Sequence, residues 1–318
     1  MSPQKKLTVD LIVPVYNEEG LIAQVHDRIR ATVDALPYTF SFIYVNDGSS
    51  DATAGDLLAV AKSDKRVHVI TLSRNFGHQA ALSAGLDASR GEAVVSLDAD
   101  GQHPPEMIPQ MLDLITQGYD IVQGQRADDA QLGRFKKWTS GLFYRILNVI
   151  SGTRVLPGAA DFRAMSRRAV DALKSMPEYH RFLRGMVSWI GFKSAILPYH
   201  QEERAGGTSK YSLGKMVRLA SDAVFSFSLM PLYIGLSAGV GFIILALAQM
   251  AWVAFLWLTG QTDRIVPGWS SLMAVLLIAS GIIMIVLGFI GVYVGYIFQE
   301  VKRRPIYVIK DEQGGDNN

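Results

Sequence analysis

Asp98-Ala99-Asp100 is where the chemistry of this chain is easiest to read. It follows Ala93-Val94-Val95-Ser96-Leu97, an apolar run with the look of a buried strand, and leads into Gly101-Gln102-His103-Pro104-Pro105-Glu106. Two carboxylates one residue apart at a strand end can approach a single hard cation. Such a cation usually keeps several waters and is completed by phosphate oxygens of a substrate. His103 could serve as a base or a ligand, but a His before Pro-Pro reads as structural. Two more polar clusters follow apolar runs in the same way, Pro14-Val15-Tyr16-Asn17-Glu18 and Asn46-Asp47-Gly48-Ser49.

The elements that must position these groups alternate. Strands are expected at Leu7–Val15, Ser41–Asn46, Val67–Leu72, Ala93–Leu97 and Asp120–Gly124, with helices at about 19–35, 52–63, 77–89 and 105–117. Strands alternating with helices of this size imply βαβ units and a largely parallel sheet covered on both faces. In such sheets ligands bind at the carboxyl ends of the strands, where all three clusters fall. No Gly-x-Gly-x-x-Gly follows the first strand and no Gly-Lys-Ser/Thr occurs, which disfavours a dinucleotide-binding oxidoreductase and a P-loop NTPase.

The 318 residues suit two units. Lys plus Arg number 31 against 29 Asp plus Glu, and a net charge of +2 argues against a nucleic-acid partner. The absence of cysteine removes disulfides, thiolate metal sites and Cys nucleophiles. Apolar residues are concentrated in the last third. Residues 229–258 and 269–298 contain no Asp, Glu, Lys or Arg, and each could form a helix of about 45 Å against a hydrocarbon core of about 30 Å. Only residues 259–268 join them, so a transmembrane hairpin in the lipid bilayer is expected. Lys210, Lys215 and Arg218 precede it and Lys302, Arg303 and Arg304 follow, while the connecting loop pairs Arg264 with Asp263. Both termini are therefore expected in the cytoplasm, with the hairpin in the inner (plasma) membrane. The first apolar run is too short for a signal peptide.

The strings VPVYNEEG (13–20), NDGSSD (46–51), RNFGHQAALSAGLDAS (74–89) and DADGQHPPE (98–106) resemble inverting family 2 glycosyltransferases of GT-A fold. With ADFRAM (160–165), ERAGGTSKYS (203–212) and the terminal hairpin, the chain is similar to polyprenyl-phosphate glycosyltransferases, a group that includes bactoprenol glucosyltransferases and dolichyl-phosphate mannose synthase. The two spans favour the bactoprenol type. The resemblance implies an α/β fold, a Rossmann-like GT-A domain with a mainly parallel sheet, plus the hairpin. It divides the chain into a cytoplasmic catalytic domain (1–211), an amphipathic juxtamembrane helix (212–228), the spans, and a C-terminal strand and tail (299–318).

By that resemblance Pro14, Tyr16, Glu18, Asp47 and Asp98 frame the nucleotide of a UDP-sugar, and Asp98, Asp100 and Gln102 hold Mg2+ or Mn2+. An aromatic face can stack on uracil, and a carboxylate can accept bonds from an imide N–H or ribose hydroxyls; Asp47 in Asn-Asp-Gly also suits a turn. Arg126 would lie near the donor diphosphate, or be a solvated loop charge. Residues 134–150 mix cations with aromatics as an interfacial helix does. Lys136 and Ser140, four apart and on one face, occupy positions that hold the lipid phosphate in the family, although generic membrane adhesion would explain the same residues. Arg204 and Lys210 lie on a Gly-containing loop suited to closing over the diphosphate, or to linking the domain to its anchor. Asp161 sits where relatives place a catalytic carboxylate. A phosphate monoester already carries about −1.5 to −2 charge at pH 7, so its oxygen needs no base, and Asp161 is expected to orient a substrate electrostatically.

The implied reaction is inverting transfer of a hexose, glucose foremost, from a nucleotide sugar to polyprenyl (undecaprenyl) phosphate, for use in cell-surface glycans. Rivals are a dolichyl-type enzyme using GDP-mannose and an inactive lipid- or sugar-binding subunit. Arg304-Pro305-Ile306-Tyr307-Val308-Ile309 reads as a short strand, which between neighbouring chains would support a homo-oligomer, and Asp311–Asn318 as a disordered end. Gly288, Gly291 and Gly295 would permit close helix contacts.

Overall fold

The computed structural model describes residues 6–127, 159–179, 181–200, 230–260 and 268–314, which belong to two compact units. In the first unit β1 (Thr8–Val15), α1 (Ile22–Val33), β2 (Thr39–Asn46), α2 (Thr53–Ser63), β3 (Val67–Leu72), α3 (His78–Ala88) and β4 (Ala93–Ser96) follow one another. A 3₁₀ turn at Pro105–Met107 opens α4 (Ile108–Thr116), and β5 (Ile121–Arg126) follows. Every expected strand and helix of this stretch is present, with ends shifted by a few residues.

Four elements lie beyond those expected. They are β6 (Ala159–Ser166), α5 (Arg167–Lys174), α6 (Leu183–Trp189) and β7 (Ser194–Tyr199). β1 pairs in parallel with β2 and β4, and β2 with β3. β6 runs antiparallel between β4 and β5, and β7 pairs in parallel with β5. With β8 (Ile309–Gln313) antiparallel to β3, the described strands form one sheet in the order β7-β5-β6-β4-β1-β2-β3-β8.

Both faces of the central strands are buried, as an apolar run without alternation requires. Val9, Leu11, Val13, Phe42 and Tyr44 belong to the core that also takes Ile22 and Ile29 of α1, Leu57 of α2 and Met111 of α4. On the opposite face α3 lies on β1 and β2. Its approach depends on Gly85, where a Cβ would collide with Ile12 and press on Val45. The parallel order then gathers the loops after β1, β2, β3 and β4 on one edge of the sheet.

The end of the chain corrects two expectations. Residues Arg304–Val308 are not a strand; pairing starts at Ile309, opposite Leu72 at the end of β3, and runs through Asp311 and Glu312, where the sequence predicts disorder. β8 lies against β3, with Ile70 opposite Glu312. The Ser73 N–H donates to the Val308 carbonyl at 2.8 Å, and the Tyr307 hydroxyl to Asp87 Oδ2 at 2.9 Å.

The second unit holds α7 (Met230–Leu258) and α8 (Trp269–Lys302). Within them Gly235–Leu258 and Ile278–Lys302, with mean hydropathy 2.1 and 2.3, are long and apolar enough to cross a membrane. α8 runs four residues past its expected end. Where the helices meet, Gly235 faces Val286, whereas Gly288, Gly291 and Gly295 face open space. The helices expected at 134–150 and 212–228 lie outside the described residues.

Candidate active site

The loops after β1 and β2 are zipped together. Asn17, at a φ of 52°, donates its N–H to Ser49 Oγ at 3.0 Å and accepts the Ser50 N–H on Oδ1 at 2.9 Å. Asn tolerates that left-handed backbone better than most residues. The Glu18 N–H donates to Thr53 Oγ1 at 2.9 Å. Pro14 is buried at the end of β1, beside Val45 of β2, and Tyr16 projects from the junction with 38% of its surface exposed. An exposed aromatic ring on a rigid loop pair is suited to stacking on a flat ligand.

Asp47 has a defined structural task. Its Oδ1 accepts the Phe76 N–H at 2.7 Å and its Oδ2 the Gly77 N–H at 2.9 Å. Burial raises its pKa against the pull of those two bonds. The clamp fixes the loop that opens α3. Gly48, with a φ of +64°, lies so close to the Arg74 backbone that a side chain there would overlap it.

That clamp aims His78, the first residue of α3, at two carboxylates. Its Nε2 lies 3.5 Å from Asp98 Oδ1 and 3.3 Å from Asp161 Oδ2. Burial would lower the His78 pKa, but Asp98 and Asp161 outweigh it and raise it to about 9. Asp161 is buried on β6 and accepts from Arg163 Nη2 at 2.6 Å, Arg184 Nη2 at 2.8 Å and Gln79 Nε2 at 3.3 Å. Burial alone would raise its pKa; Arg184, His78 and Arg163 instead hold it well below the usual carboxylate range. A carboxylate so stabilised as an anion is a poor proton acceptor.

Asp98 and Asp100 follow β4 as expected. The Gln102 N–H donates to Asp100 Oδ1 at 3.1 Å, which curls the loop back on itself. Asp98 Oδ1 is buried and makes no hydrogen bond. Among the described residues no three His, Cys, Asp or Glu side chains form a metal cage. Asp98, Asp100 and the Gln102 amide are all oxygen donors, too few to enclose an ion. This set fits a hard Mg2+ or Mn2+ that takes its remaining ligands from phosphate and water.

His103 is buried under this loop, where desolvation lowers its pKa against the pull of Asp98 and Asp100. Arg126 ends β5 close enough to His103 and Tyr199 for its charge to act on both. Lys136, Ser140, Arg204 and Lys210 lie outside the described residues. The structure thus brings Asp98 and Asp161 together through His78, with Asp100, Gln102 and Arg126 on the same edge. It adds four residues given no role from sequence: His78, Gln79, Arg163 and Arg184. Their available signal was position, since His78 and Gln79 begin a helix at the carboxyl edge of the sheet and Arg163 lies two residues from Asp161.

Residues 10–173 match the family model described as Glycosyl transferase family 2. The chain belongs to this family. It is 38% identical to an uncharacterized glycosyltransferase, YkcC, of Bacillus subtilis, over 98% of this chain and 96% of that protein. It is 36% identical to the SfII prophage-derived bactoprenol glucosyl transferase of Shigella flexneri, over 98% of this chain and 100% of that protein. Among solved structures, glucosyl-3-phosphoglycerate synthase from Mycobacterium tuberculosis, in complex with Mn2+, UDP and glucosyl-3-phosphoglycerate, superposes with a TM-score of 0.48 at 20% identity, covering 69% of this chain and 78% of that one. The three polar clusters of this family 2 glycosyltransferase meet on the carboxyl edge of its mostly parallel sheet.

Proposed function

We propose that this glycosyltransferase moves glucose from UDP-glucose to undecaprenyl phosphate with inversion, giving undecaprenyl-phosphate glucose and UDP. The observation that carries the reading is the full-length match to the Shigella flexneri bactoprenol glucosyl transferase, which takes in both apolar helices as well as the catalytic unit. An acceptor buried in lipid explains why a sugar transferase would carry such helices. In this reading α7 and α8 span the inner membrane, both termini are cytoplasmic, and residues 134–150 and 212–228 lie on the leaflet.

An acceptor phosphate oxygen attacks the anomeric carbon as the bond to the UDP β-phosphate oxygen breaks, its electron pair leaving with UDP. Asp98, Asp100 and Gln102 would hold Mg2+ or Mn2+, which when bound supplies charge against the leaving diphosphate. Tyr16 stacks on the uracil, while Arg126, Arg204 and Lys210 draw the diphosphate in. Lys136 and Ser140 hold the acceptor phosphate. Asp161 orients Arg184 and His78 toward the reacting groups and takes no proton, consistent with its depressed pKa.

The test is a donor panel. Purified full-length enzyme with undecaprenyl phosphate should use UDP-glucose in preference to UDP-galactose, UDP-N-acetylglucosamine and GDP-mannose. Preference for GDP-mannose would replace this reading with the dolichyl-type one.

A further inference from the structure

We propose that His103 is a positioning residue that holds Asp98 at two points, main chain and carboxylate, and so fixes the orientation of the carboxylate that serves the donor's cation. The proposal rests on the reading of Asp98 as a ligand of the metal–nucleotide complex. The Asp98 N–H donates to His103 Nδ1 at 3.0 Å. Because a backbone N–H can only donate, Nδ1 carries the lone pair and the neutral ring has its hydrogen on Nε2. That Nε2 is buried, has no hydrogen-bond partner, and lies 3.7 Å from Asp98 Oδ2. The gap is longer than a hydrogen bond and small enough for a modest turn of the carboxylate to close it.

The ring cannot easily turn away. It stacks on Phe162 of β6 with centroids 5.1 Å apart and planes 10° from parallel, and Tyr199 of β7 meets it edge-on at 5.9 Å. A buried donor costs free energy unless it finds an acceptor, and the nearest carboxylate oxygen in reach is Asp98 Oδ2. His103 therefore takes the Oδ2 side while His78 lies 3.5 Å from Oδ1, so the carboxylate is held between two imidazoles. Groups that orient a metal's carboxylate ligand typically contribute about 10–100-fold in metal affinity. Histidine suits this place because it accepts at the δ position, donates at the ε position and is flat enough to stack.

His103→Asn keeps an acceptor at the δ position without the ε donor, and His103→Gln keeps a donor at the ε position. Mn2+ binding by the full-length enzyme in the presence of UDP would be measured from the electron paramagnetic resonance of free Mn2+, alongside thermal melting. H103N should melt like the wild type yet bind Mn2+ with UDP about 10–100-fold more weakly, and H103Q should recover most of that loss. H103N binding within about twofold of wild type, or H103Q no better than H103N, overturns the proposal on that same scale. If H103N does not fold, H103Q decides alone: affinity near wild type supports the proposal, and a loss of about tenfold or more overturns it. A wild-type enzyme that takes up no Mn2+ with UDP overturns the donor-site reading itself, and this proposal with it.

Discussion

Arg184 grips Asp161 side-on, its Nε 3.2 Å from Oδ1 and its Nη2 2.8 Å from Oδ2. Asp161 also balances Arg163, which is almost wholly buried. Asp161→Asn would leave that guanidinium without its counter-charge, a change that typically costs about 3–5 kcal/mol. The Asp161 carboxyl titrates well below its ordinary value in the folded state, so its contribution is complete above about pH 4 and is lost as pH falls through the folded pKa. In urea unfolding, the stability gap between wild type and D161N should widen as pH falls from about 9 to 6.5, because Asp161 helps hold the proton on His78, then stay level to about pH 5 and narrow only below about pH 4. A gap that closes between pH 8 and 5 contradicts the assignment.

Asp100→Asn removes charge from the proposed cation site without disturbing the core. Transfer should fall by orders of magnitude while the melting temperature stays near wild type, and EDTA should abolish wild-type turnover. Near-normal turnover in D100N, with EDTA harmless, would remove the metal from the account.

The Asp47 clamp has a separable signature. Asp47→Ala leaves the N–H groups of Phe76 and Gly77 without their acceptor, at a cost of about 1–3 kcal/mol. It also frees the loop that aims His78, so the KM for UDP-glucose should rise along with the loss of stability. Unchanged melting and KM would show that the clamp fixes nothing.

Deleting residues 304–318 removes β8 and the Tyr307–Asp87 hydrogen bond. Because β8 pairs within its own chain, the truncated enzyme should melt earlier while keeping its mass in detergent. A lower oligomeric mass would instead mean that this strand joins chains.

Much of the architecture was legible because the parallel strands are continuous apolar runs and their helices begin at polar loops. β6 was not, since Asp161 and Arg163 put two charges inside a buried strand, and only their pairing with each other and with Arg184 makes that burial tolerable. Pro198 similarly disguises β7, an edge strand that can do without one N–H. The carboxylates Asp98, Asp100 and Asp161 could be read from local motifs. Their cationic partners could not, because His78 and Arg184 reach Asp161 only once the fold has brought α3, α6 and β6 together. Asp47 shows the opposite limit: its Asn-Asp-Gly motif suits a turn, but that its two oxygens would accept the Phe76 and Gly77 N–H groups, 29 and 30 residues on, has no local signal.

The most direct test of the central claim is stoichiometry. Purified full-length enzyme in vesicles would be given UDP-glucose and a divalent cation, with and without undecaprenyl phosphate, and both UDP and lipid-extractable glucose would be measured. The expected result is equal amounts of the two, formed only when both the lipid and the cation are present. UDP release that is indifferent to undecaprenyl phosphate, or glucose that never enters the lipid fraction, would contradict the account.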